Sequence, residues 1–189
     1  MSVKPDAEGL AQSARAASKG GLPPVHLWNP PFCGDLDMRI ARDGTWFYLG
    51  TPIGRKELVR LFSTILRKDG EEYFLVTPVE KVGIKVEDAP FVAVDFEVEG
   101  QGPDQRIVFV TNVGDRAEAG EAHPIRVERD AGTGEPSPYV LVRANLEALI
   151  DRKSFYRLVE LGEHDGEWFG LRSGGVFFPL IPSRELPRD

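Results

Sequence analysis

Two pairs of cations, Arg55-Lys56 and Arg152-Lys153, stand where the sequence predicts helices to begin. Positive charge in a first helical turn opposes the helix dipole by roughly a few tenths of a kcal/mol per residue. A cost that recurs asks for compensation, and the free N–H groups of a helix start already favour phosphate or carboxylate. The competing reading is a salt bridge to a nearby acid such as Asp151, or simple solvation. Asp35 and Asp37, in GDLDMR, are weak metal candidates: strand alternation points both carboxylates to one face, as Mg²⁺ would need. Shaping a turn or answering Arg39 is the plainer role. Glu80-Lys81 and Glu87-Asp88 place charge at hairpin ends, where charge is common.

The remaining chemistry-bearing residues form no motif. His26, His123 and His164 are too scattered for a local metal site, and His164 sits in an Asp-Gly turn that predicts exposure. Cys33 has no partner motif and reads as a quiet, buried or half-buried thiol. There is no G-x-S-x-G elbow, no G-x-x-x-x-G-K-[ST] phosphate loop and no G-x-G-x-x-G fingerprint. No catalytic residue and no cofactor is therefore assigned. Trp46 and Trp168 follow a repeated aromatic pattern and read as core, whereas Trp28, in a proline-rich segment, is open to a ligand.

The elements that must position these residues come from an acidic chain. Its 189 residues carry 23 Lys plus Arg against 30 Asp plus Glu, a net charge of −7, with 41% hydrophobic residues. A chain of this size buries enough surface to fold without disulfides or structural metal. One cysteine excludes an internal disulfide and fits a reducing, cytoplasmic compartment. Charge or proline interrupts every apolar run, which argues against a membrane span, and the negative balance argues against a nucleic-acid partner. The first 21 residues lack the apolar stretch of a presequence. They predict a short Ala-rich helix from Asp6 to Ser18, ended by Gly20-Gly21, on a mobile or lightly resting arm, because Leu10 is its one large apolar residue after Met1 and Val3.

Four prolines make residues 22–31 an extended surface strap that buries Val25 and Trp28. A hairpin follows, residues 37–41 and 45–49 about an Asp43-Gly44 turn. Thr51 then caps a helix over residues 52–67, with Pro52 at its first position and Leu58, Leu61, Phe62 and Ile65 along one face. Residues 72–77 and 82–87 form a second hairpin. Residues 91–99 predict a strand with Val92, Val94, Phe96 and Val98 on one face; 105–112 and 125–128 are further strands, and 114–122 and 130–138 are loops. Ser173-Gly174-Gly175 reads as a hairpin turn.

The chain also repeats itself at an offset of 97. Ile53, Arg55, Lys56, Arg60 and Leu61 recur as Ile150, Arg152, Lys153, Arg157 and Leu158, and, one residue nearer at an offset of 96, Asp69-Gly70-Glu71 recurs as Asp165-Gly166-Glu167 before another aromatic strand. The repeat makes residues 146–150 a strand rather than a helix, with Asp151 capping the second helix and Gly162 stopping it. The expected fold is α+β and mostly antiparallel: two related units, each hairpin, helix, hairpin, with an arm over 1–21, an N-terminal domain over 22–88 and a C-terminal domain over 89–189, the latter with extra central strands.

At PPVHLWNP, GDLDMRI, DGTWFYLGTPIGRKELVRLFSTILRKDGEEYFLVTPVEKVGIKVEDAPF and LEALIDRKSFYRLVELG the sequence resembles the bacterial domain-of-unknown-function family 1285, over nearly all of the chain after the arm. TPVEK and VEDAPF are its most specific pieces. The resemblance implies a two-domain α+β fold with internal duplication, a C-terminal part superficially similar to pleckstrin-homology folds, and a signalling protein with a small, nucleotide-like ligand between the domains. It carries no catalytic set. Joined to the residue reading, it makes Trp28, Arg55, Lys56, Glu80, Lys81, Glu87, Asp88, Arg152 and Lys153 the expected ligand-binding residues, for a small anionic ligand. The alternatives are a protein-binding adaptor built on the pleckstrin-homology-like half, or a metal- or carboxylate-dependent hydrolase, which needs Asp35, Asp37, Glu87 and Asp88 to converge.

Overall fold

The computed structural model describes residues 4–187. The opening of the expected arm, residues 1–3, and residues 188–189 of the expected C-terminal domain lie outside the described residues. The fold is α+β with mostly antiparallel pairing, in two compact units, Met1–Pro90 and Phe91–Asp189. No helix among the described residues is long and apolar enough to cross a membrane.

The first unit opens with helix α1 (Ala7–Ala17), capped by Asp6, whose side chain accepts from Gly9 N. This helix does not rest lightly. Leu10, Ala11 and Ala14 are fully buried, Tyr48 Oη reaches Ala7 N at 3.4 Å, and Ser18 and Thr64 share a hydroxyl contact at 3.3 Å. One large side chain suffices because the alanines on its face let the helix approach closely. The proline strap carries a single 3-10 turn, Val25–Leu27; Val25 and Trp28 are only half-buried, and Pro23 is the residue it buries.

The sheet of this unit contains β1 (Phe32–Ile40), β2 (Trp46–Tyr48), β3 (Thr51–Pro52), β4 (Leu66–Asp69), β5 (Glu72–Val76) and β6 (Lys81–Val86), in the order β3-β2-β1-β6-β5-β4. Two antiparallel meanders are thus zipped together by one parallel pair, β1 with β6. Both expected hairpins are present, the first around Gly44 at φ +91°. Helix α2 (Lys56–Thr64) links the meanders and is much shorter than the expected 52–67. Thr51-Pro52 is the edge strand instead of a cap, and Arg55 occupies the cap position with no side-chain bond. At the other end Leu66 leaves the helix to pair with Leu75. The predicted apolar row survives in altered form: Phe62 and Ile65 are fully buried, and Phe62 stacks against buried Trp46 at 6.4 Å.

The second unit builds a sheet of the same plan from β7 (Phe91–Glu99), β8 (Arg106–Thr111), β9 (Arg116–Glu118), β10 (Ile125–Arg129), β11 (Pro136–Arg143) and β12 (Leu146–Ile150). Its order is β10-β11-β12-β7-β8-β9, again two meanders joined by one parallel pair, β12 with β7. Two expected loops are shorter than read, since β9 lies within 114–122 and β11 starts at Pro136. The single apolar face expected for β7 is broken by an irregularity between Ala93 and Asp95, after which Val98 turns outward. Helix α3 (Arg152–Val159) follows, capped by Asp151, whose carboxylate accepts from Ser154 N at 2.9 Å. A three-stranded sheet of β13 (Glu163–Asp165), β14 (Trp168–Ser173) and β15 (Val176–Pro182) completes the unit. Gly174 and Gly175 turn its last hairpin with positive φ, and Gly70 and Gly166 do so at matching places in the two copies. Trp168 is 44% exposed, so it is not the core residue that the repeated aromatic pattern suggested.

Candidate functional site

A groove of about 630 Å³ lies over the middle of the sheet of the first unit, reached from β1, β6 and β5. Alternation along β1 buries Leu36, Met38 and Ile40 on one side and leaves Asp35 and Arg39 on the other. In register beside them are Gly83 and Lys85 of β6, and beyond Gly83 stands Phe74 of β5. Phe32 meets Phe74 edge-on, with ring centroids 6.0 Å apart. Apolar rings and charged groups therefore share one open face.

A chain of contacts ties the strap to this face. The guanidinium of Arg67 donates to the backbone carbonyls of Val25 and Trp28 at 2.9 and 2.7 Å, and to both Asp69 oxygens at 2.9 and 3.0 Å. Lys81 reaches Asp69 at 2.8 Å while lying 4.0 Å above the Phe74 ring. These two cations, Arg67 first, hold the Asp69 carboxyl below its ordinary range. Glu87 accepts from the Arg39 guanidinium at 2.5 Å and from Arg42 N at 2.9 Å, and Asp88 meets Arg42 Nε at 3.0 Å. The Glu87-Asp88 pair thus clamps the Asp43-Gly44 turn. Glu80 sits in the β5–β6 loop, where Thr77 Oγ1 accepts its N–H at 3.1 Å; partial burial and then the charge of Asp6 raise its carboxyl.

The sequence-predicted site residues are accordingly divided. Glu87 lines the groove, Lys81 lies over the Phe74 ring beside it, and Trp28 is linked to them only through its backbone carbonyl and Arg67, whereas Asp88 and Glu80 serve turns. Arg55 and Lys56 are exposed at the start of α2 and have no ion pair or hydrogen bond of the side chain among the described residues. In the second copy the cations make contacts within their own unit. Arg152 pairs with Glu135, and Lys153 donates to Val94 O at 3.1 Å with Asp151 at 3.9 Å. Asp35 lines the groove but Asp37 does not, and it is Glu87 that answers Arg39. No cluster of three or more His, Cys, Asp or Glu suited to a metal ion occurs among the described residues. The four acids required for hydrolysis do not converge, since Asp37 and Asp88 lie outside the groove that Asp35 and Glu87 share. Cys33 is exposed rather than buried, its thiol donating to Pro31 O at 3.4 Å. His164 is exposed as read, against Phe169 and Ser183 Oγ.

Sequence reasoning missed Arg67, Phe32, Lys85 and Gly83. A glycine inside the apolar run KVGIKV was the available signal, since a strand-interior glycine marks a close approach of something to the backbone. Here that is Asp35.

Comparison with known proteins adds family context to this geometry. The model of the N-terminal domain of DUF1285, a domain of unknown function, matches residues 23–89, and that of the DUF1285 C-terminal domain matches residues 90–180. The chain is similar to the crystal structure of a DUF1285 family protein from Silicibacter pomeroyi, with 66% identity over 95% of this chain and 98% of that one, at a TM-score of 0.89. It is also similar to a DUF1285 family protein from Shewanella baltica, with 32% identity over 66% of this chain and 91% of that one, at a TM-score of 0.53. No curated protein matches it.

Proposed function

The chain belongs to the DUF1285 family, and from that premise we propose that it is a cytoplasmic small-ligand-binding protein with a signalling role, its ligand lodged on the face of the N-terminal sheet. The groove carries this reading. Its volume of about 630 Å³ falls in the range of small-molecule sites, and its walls combine rings with charged groups able to orient a ligand. The exposed, unbridged Cys33 suits a reducing compartment. The signalling role comes from the family resemblance.

Thermal shift of the full chain against nucleotides, amino acids, amines and sugar phosphates tests the proposal. A ligand at a hundredfold excess over its Kd adds about 2.7 kcal/mol, enough to raise Tm by about 5–10 °C. A hit whose shift is lost in Phe32→Ala supports the groove. A hit indifferent to Phe32→Ala and Asp35→Asn removes the ligand from this face.

A further inference from the structure

Resting on the ligand-binding reading, we propose that the sheet-face groove selects a small organic cation, an amine or guanidine carried on an apolar body about the size of a ring. The floor is Gly83. A Cβ at that position would lie 2.2 Å from Asp35 Oδ1 and 3.8 Å from Phe32 Cε2, so a carboxylate and a ring edge converge over bare backbone. A side chain there would displace the Asp35 carboxylate and come into contact with the Phe32 ring.

The rings suit a cation. Phe32 is 58% exposed although it packs edge-on against Phe74. The face of Phe74 already receives the Lys81 ammonium at 4.0 Å, and Arg39 lies 4.2 Å over Phe47 at the neighbouring strand. The surface thus accommodates cations of the chain itself, and no cation of the described residues lies over Phe32.

Charge decides the sign of the ligand. Arg39 and Glu87 neutralise one another, which leaves Lys85 facing Asp35, Glu71 and Glu72 in the groove. None of these three acids has an ion pair or side-chain hydrogen bond among the described residues. An entering ammonium gains a carboxylate and an open ring at one spot, and its apolar body covers Phe32. A phosphate or carboxylate meets three like charges, with Lys85 the one lysine among the lining residues to offset them, since Lys81 over Phe74 is held by Asp69. This inverts the anionic ligand expected from the helix-start cations, of which Arg152 and Lys153 are engaged within their own unit.

The test is an NMR titration of the isotopically labelled full chain with phenethylamine, 2-phenylethanol, phenylacetate and AMP at millimolar concentration. The first three share one body and differ in charge. Phenethylamine is expected to shift the amides of Gly83 and Phe32 saturably and at least about tenfold more tightly than the others. Asp35→Asn, at an exposed position, should weaken it about tenfold with Tm unchanged, and Gly83→Ala should remove the response. Phenylacetate or AMP binding as tightly at the same amides, or phenethylamine binding that survives Asp35→Asn, overturns the cation assignment and leaves the ligand-binding reading standing. Silence of these amides toward all four overturns both.

Discussion

Arg67 donates to two carbonyls of the proline strap and to both oxygens of Asp69, and through Asp69 it connects to Lys81 and the Phe74 ring. Nothing in the one-dimensional pattern distinguishes such an arginine from one solvated at a helix end, because its partners lie about 40 residues away in the strap. For the same reason the candidate site was only partly legible. Lys81 and Glu87 were found as hairpin-end charges, but the groove exists only once β1 lies beside β6, a pairing that local spacing does not encode. Glu80 illustrates how a neighbour acts on a single group. Burial and Asp6 raise its carboxyl above the usual 4.5, so as pH rises the unfolded chain releases this proton first and the folded state loses stability across that interval. The penalty is complete above the folded value. Glu80→Gln should therefore stabilise the protein at neutral pH, by no more than about 0.5 kcal/mol at this only partly buried site. The gain should vanish below about pH 4, where both states are protonated. Urea denaturation at pH 4 and pH 7 measures it; an equal gain at both values would show that charge is not the cause.

At the scale of elements, turns and amphipathic strands were legible because their signals are local: Asp-Gly and Gly-Gly pairs at the hairpins, and Leu146–Ile150 read as a strand from the repeat. Helix ends were not. Thr51-Pro52 has the chemistry of a cap, but the same two residues close a sheet edge, and pairing with Phe47 and Tyr48 prevails. The repeat shows what Pro52 does there. Its counterpart at the offset of 97 is Leu149, which pairs with Tyr139 on one side and Val92 on the other. Proline has no N–H for a further neighbour, so β3 ends its sheet where β12 continues into β7. A second divergence follows from the first. In the repeat, β10 and β15 stand for β1 and β6, yet no ladder joins them, and Arg129 reaches Leu180 O at 3.2 Å across the space. Helix α1 was misjudged because one large side chain looked too little to hold it. Leu10→Ala should cost about 2 kcal/mol or more of its docking, and hydrogen exchange should show its amides opening roughly thirtyfold more often while β5 and β6 keep their protection. Unchanged exchange in α1 would mean that the alanine face alone holds it.

For the molecule as a whole, duplication was visible in the sequence, whereas the shared sheet plan was not. The offset aligns α2 and β4–β6 with α3 and β13–β15, but the six-stranded sheet of the second unit draws on β7–β9, which the repeat does not include. Each unit closes its main sheet by pairing that sheet's first strand with its last, so a truncation is most damaging where it removes the closing strand. Residues 1–90 expressed alone should be soluble and unfold cooperatively, whereas residues 1–78, which lack β6, should aggregate; sedimentation and circular dichroism distinguish the two. A soluble, cooperative 1–78 fragment would show that the parallel pair is dispensable. The β1–β6 closure also sets a schedule for biosynthesis. Roughly forty residues separate the end of β1 from the start of β6, and a ribosome adding about 5–20 residues per second takes about 2–8 s to supply them. During that interval one edge of β1 and its inward row of Leu36, Met38 and Ile40 wait without their partner. The nascent chain is therefore most in need of a chaperone early in translation, and that need ends when Val86 leaves the exit tunnel.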